Sequence, residues 1–123
     1  MNWWQLAGGV MALVCAAGHA IAGRGLFYRP IISELRSELH AGVFTGMWHI
    51  ITINFALSAI ALVVLSARGH GNIVASLIAA QFAGYAAVYL VLSLRLGGAL
   101  KVFQWIPFAA TAILSASGAI ATP

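Results

Sequence analysis

Negative charge is nearly missing from this chain: its 123 residues hold two carboxylates, Glu34 and Glu38, against six lysines and arginines. Charge of either sign makes up 7% of the residues, whereas a soluble domain carries about 25%. So few charges cannot hydrate a globular surface. With 63% hydrophobic residues and a mean hydropathy of +1.00, the solvent such a surface suits is lipid. Cysteine is scarce too. The lone Cys15 excludes an intrachain disulfide and any CxxC redox or metal motif, and reads as a small packing residue. No GxSxG nucleophile motif or phosphate-cradling loop occurs, so the chain reads as non-enzymatic. No segment alternates like a barrel strand. The net charge of +4 sits in short loops rather than along a polar groove. That favours anionic lipid headgroups as partner and disfavours nucleic acid.

Four apolar runs fill most of the chain, at 3–23, 42–66, 73–95 and 103–121, each near the ~20 residues that cross a bilayer as helix. The expected fold is all-α: an antiparallel four-helix transmembrane bundle forming one domain over residues 1–123. MNWWQ has no basic residue, so the first run is expected to be a retained helix rather than a signal peptide, despite the Ala20-Ile-Ala22 stretch. Each helix carries a small-residue ridge that lets another helix approach closely. The ridges are Gly8, Ala12, Cys15/Ala16, His19 and Gly23; Gly42, Gly46, His49, Ala56 and Ala59; Ser76, Ala80, Ala83 and Ala87; and Ala109, Ala112, Ala116 and Ala119. Residues 30–40, opening at Pro30, are expected as a short amphipathic helix at the interface, or as a first part of helix two that breaks near Gly42. The glycine-rich turn Ala67 to Asn72, with Asn72 as N-cap, is expected to make helices two and three antiparallel neighbours.

Basic residues set the topology. Arg24, Arg29 and Arg36 follow the first run, and Arg95 and Lys101 follow the third, while the other side has only Arg68. The positive-inside rule puts loops one and three in the cytoplasm and both termini outside.

The polar chemistry gathers between Arg24 and Thr52. Counting 1.5 Å per residue puts His19, His49, Tyr89 and Thr111 in one layer, ~6–10 Å below the loops. Arg24, Glu34, Glu38, His40, Arg95 and Gln104 would roof it. Three chemistries fit such a layer. His19 and His49 could clasp a b-type haem, with Arg24 or Arg95 holding its propionates. A divalent metal could sit among His19, His40, His49, Glu34 and Glu38, although no HxxxH or ExxH pair supports it. A proton- or lipid-handling cavity could use Glu34 or Glu38 beside His40. The plainer alternative is a neutral histidine hydrogen-bonded across helices to Thr52, Tyr89 or a backbone carbonyl. Glu34 and Glu38 read more simply as a solvated, ion-paired face. The stripe Gln81, Tyr85 and Tyr89, with Thr52 and Gln104, could line a polar pocket or serve as helix–helix glue.

His19, Gly23 and Arg24, then Arg29-Pro30, then Trp48-His49, give the chain a pattern that resembles a group of small uncharacterised bacterial four-helix membrane proteins. Arg95 to Gly98 and Gln104-Trp105 add to the likeness. The resemblance spans most of the chain and implies the four-helix fold, with no activity attached. The size and helix count are also similar to MAPEG-type enzymes, but the Arg, Asn and Glu pattern expected of their second helix is missing. The function expected is an accessory or structural subunit of a larger membrane complex, with a membrane-protein partner or a homo-oligomer. A cofactor-bearing protein and an oligomeric transporter or channel are the alternatives.

Overall fold

The computed structural model describes residues 1–69 and 72–121. The turn expected at His70 and Gly71 lies outside those residues, as does the capping side chain of Asn72. The described chain is all-helical: α1 (Trp3–Glu34), α2 (Glu38–Arg68), α3 (Asn72–Arg95) and α4 (Trp105–Ile120). The first three are long and apolar enough to cross a membrane, and α4, at 16 residues, is shorter.

Asn2 starts α1, its Oδ1 accepting from the backbone N–H groups of Trp4 and Gln5 at 3.1 and 3.2 Å, a normal N-cap. The rod is α-helical over Trp3–Ala17 and then runs through two wider π-type turns, Gly18–Ala22 and Arg24–Tyr28. In these the N–H of Gly23 reaches the carbonyl of Gly18, and that of Arg29 reaches Arg24. It regains α geometry over Arg29–Glu34. The expected boundary near Gly23 is therefore absent. Within the expected helix 30–40, residues 35–37 are not helical: 29–34 complete α1, and 38–40 begin α2. The physical cause is local. No proline lies between Gly23 and Pro30, whereas Ser37 is extended and caps α2 by accepting from the N–H of His40 at 3.4 Å.

Where α2 ends, Gly69 adopts φ 68°, the left-handed conformation glycine tolerates best. At the end of α3, buried Ser93 folds the connection over: its Oγ donates to the Gly98 carbonyl at 2.7 Å and accepts from the N–H of Val102 at 2.9 Å. Trp105 Nε1 donates to the Ala99 carbonyl at 2.6 Å.

Packing is inverted relative to a water-soluble bundle. Ala12, Ala16, Ala59, Ala75, Ala112 and Ala119 are buried with a few phenylalanines, while Ile50, Leu57, Ile60, Leu77, Val88 and Ile113 face outward. Small residues inside and branched aliphatics outside suit helices whose backbones meet closely in an apolar solvent. The closest approaches are glycine contacts. A Cβ on Gly9 would stand 2.9 Å from Val63 Cγ2 and 3.1 Å from the Ala59 carbonyl, and one on Gly118 would stand 2.9 Å from the Gln5 backbone nitrogen. Contacts between α1 and α2 run from Asn2 against Ser66, through Gly9 against Val63, to Gly23 against Trp48.

α1 packs against α2 and α4, and α3 against α4, but the backbones of α2 and α3 barely approach each other despite the short connection. Long side chains bridge that gap. Gln81 Nε2 donates to Asn54 Oδ1 at 2.6 Å, and Phe55 meets Phe82 with ring centroids 5.6 Å apart. A short turn fixes where two helices begin and end, not how far apart large side chains hold them.

Candidate functional site

The rings of α1 and α2 form a continuous aromatic run. His19 lies against Trp48 with centroids 3.9 Å apart and planes 22° apart, and its other neighbour is Phe55 at 5.8 Å, edge-on. Trp48 also touches Tyr28 and Phe44, and Phe55 passes the run on to Tyr85 and Phe108. Gly23 makes room for this: a Cβ there would stand 3.1 Å from the indole ring.

His19 Nε2 sits 3.2 Å from the backbone carbonyl of Trp48. A carbonyl can only accept, so Nε2 carries the proton. The same oxygen accepts from Thr52 Oγ1 at 3.1 Å. Of the alternatives weighed for this histidine, the geometry matches a cross-helix hydrogen bond to a backbone carbonyl.

Beside this stack lies a groove of about 240 Å³ lined by Ala20, Arg24, Tyr28, Trp48, His49 and Thr52. Arg24 and His49 are exposed at its rim. Tyr28 Oη and Thr45 Oγ1 share a hydrogen bond at 3.0 Å, which fixes the phenol. The π turns help to build this wall. In an α-helix, side chains four apart rotate by about 40° per step, and the wider turns bring Ala20, Arg24 and Tyr28 closer to one line. Such bulges are frequent at functional sites.

The other expected site residues do not converge. His49 belongs to the groove and His19 to the stack behind Trp48, so the two imidazoles do not face a common centre. His19 offers its Nε2 proton to a carbonyl, which removes the lone pair that haem iron or another metal needs at that nitrogen. Glu34, Glu38 and His40 are exposed, and among the described residues no three His, Cys, Asp or Glu side chains stand close enough to hold a metal ion. Arg95 is exposed at the end of α3. Thr111 is buried against Cys15, 3.9 Å between Sγ and Oγ1, and Tyr89 packs on Phe108. Gln81 and Tyr85 both donate to Asn54 Oδ1, at 2.6 and 3.4 Å. Gln104 keeps its Oε1 buried without a partner.

Three residues escaped the sequence reading. Asn54 holds the polar bridge between α2 and α3, and a lone amide inside a 31-residue apolar helix was the available signal. Tyr28 lines the groove but lies in a stretch expected to be loop. Gln5 is fully buried against Gly118, with neither side-chain amide atom bonded.

No family model matches this chain, and neither a curated protein nor a solved structure matches it.

Proposed function

We propose that the protein is an integral membrane subunit that contributes structure to a larger membrane assembly rather than chemistry of its own. The observation that carries this is the outer face of α3. Ser76, Ala80, Ala83, Gly84 and Ala87 are all exposed, and a Cβ added at Gly84 would meet nothing within 4 Å. The small-residue contacts at Gly9 and Gly118 are consumed within the chain, whereas Gly42 and Gly46 near the start of α2 are open like the α3 face. Small residues in lipid gain little by facing acyl chains and much by admitting a partner helix.

The helices run antiparallel in this reading, in keeping with the opposed order of the α1 and α2 contacts. The 32 residues of α1 amount to about 48 Å, longer than a hydrocarbon core of about 30 Å. Its final turns, Arg29–Glu34, therefore project past the membrane beside Arg36, where the interfacial segment was expected. That arginine-rich side faces the cytoplasm of a bacterial inner membrane and its anionic headgroups, and both termini lie outside.

The test is native mass measurement after gentle extraction from the source membrane. A defined complex larger than the 12.9 kDa chain, lost on Ala83→Leu, supports the reading. A monomer under all extraction conditions opposes it.

A further inference from the structure

We infer that the groove between Arg24 and His49 seats the phosphate headgroup of an anionic phospholipid. This rests on the transmembrane reading above but not on partner docking at α3.

The groove's depth comes first. From Trp4 to Arg24 is twenty residues of α1, and from Arg68 back to His49 is nineteen of α2, each about 30 Å of helix. Trp3 and Trp4 are exposed aromatics at one end, and the hydrogen bond from Asn2 N–H to the Ser66 carbonyl, 2.8 Å, aligns the two helices there. One hydrocarbon thickness away, both helices therefore reach the opposite headgroup boundary together, at the groove.

Its chemistry comes next. Among the described residues, the Arg24 guanidinium makes no hydrogen bond or ion pair within the chain. Glu34 lies ten residues farther along the same rod, about 15 Å away. A guanidinium at the edge of hydrocarbon needs an anion, and its planar fork suits phosphate oxygens. His49, Tyr28 and Thr52 add an imidazole and two hydroxyls on the same groove. Trp48 forms a wall already braced by His19 and Gly23, so the site is preorganised. The groove, of about 240 Å³, has room for a phosphodiester.

The apolar surroundings favour a lipid over free phosphate. Ile21, Ile50 and Ile53, which follow the groove residues Ala20, His49 and Thr52 in sequence, are exposed, two of them on the helix that carries His49. They offer acyl chains a surface continuous with the headgroup seat.

The full chain is reconstituted in phosphatidylcholine nanodiscs with and without phosphatidylglycerol, and retained lipid is counted by native mass spectrometry after release. The wild type is expected to keep one phosphatidylglycerol in preference to phosphatidylcholine, and Arg24→Gln to weaken that preference about fivefold. Arg24→Lys should fall between the two, and His49→Gln should weaken retention while Arg95→Gln does not. Millimolar inorganic phosphate should leave the bound lipid in place. Equal retention of both lipids overturns the inference, as does equal loss in Arg24→Gln and Arg95→Gln, which would mark diffuse attraction. Displacement by inorganic phosphate overturns the lipid as occupant. If Arg24→Gln does not fold, the Arg24→Lys and His49→Gln comparison decides. A chain that fails to enter nanodiscs at all contradicts the transmembrane reading instead.

Discussion

His19 and Trp48 are joined twice: their rings stack at 3.9 Å, and the His19 Nε2–H points at Trp48's own carbonyl, 3.2 Å away. An imidazole held this way acts as a strut between α1 and α2. His19→Ala should lower stability in detergent by about 1–2 kcal/mol, combining a stacked pair with an interhelical hydrogen bond. Thermal unfolding followed by circular dichroism checks this. The purified wild type should also show no Soret absorption, and a stoichiometric Soret band would contradict the strut.

Gly9 marks the tightest crossing of α1 and α2. Gly9→Leu should cost about 1–3 kcal/mol as an overpacking change, because Val63 and the Ala59 carbonyl leave no room. Gly46→Ala, where a Cβ meets nothing within 4 Å, is the matched control and should leave unfolding unchanged or slightly later.

Asn54 and Gln81 hold the wide α2–α3 side together. Asn54→Leu should destabilise by about 0.6–1.7 kcal/mol, the range for interhelical polar contacts in membranes. The double variant Asn54→Leu, Gln81→Leu should recover part of the loss, since it no longer strands the Gln81 amide. A double-mutant cycle with zero coupling would refute the bridge.

Ser93 ties the α3–α4 connection by two hydrogen bonds. Ser93→Ala should cost about 0.5–1.5 kcal/mol and raise amide exchange at Val102, with helix content unchanged.

The helical class was legible from composition, because 7% charge leaves a chain few options besides lipid. The four helices fall close to the four apolar runs for the same reason. The reach of α1 was not legible. Arg24, Gly25 and Arg29 look like loop, yet two wide turns carry the helix through them, and turn width leaves no mark in residue type. Depth counting set His19 and His49 at one level near the arginine-rich end. It could not foresee rotation about the helix axis, which puts one imidazole behind Trp48 and the other in the groove. Likewise the Ser76, Ala80, Ala83 and Ala87 ridge was visible as a ridge, but which way it faced depended on Phe55, Phe82 and Phe108 filling the opposite side.

The most direct test uses that ridge. With Cys15→Ser as background, Ala83→Cys is introduced into the full chain and oxidative or bifunctional crosslinking is carried out in the native membrane. The account predicts a discrete crosslinked species of defined mass from Ala83→Cys and none from Leu57→Cys on the outer face of α2. Equal crosslinking at both positions, or none at Ala83→Cys, would contradict it.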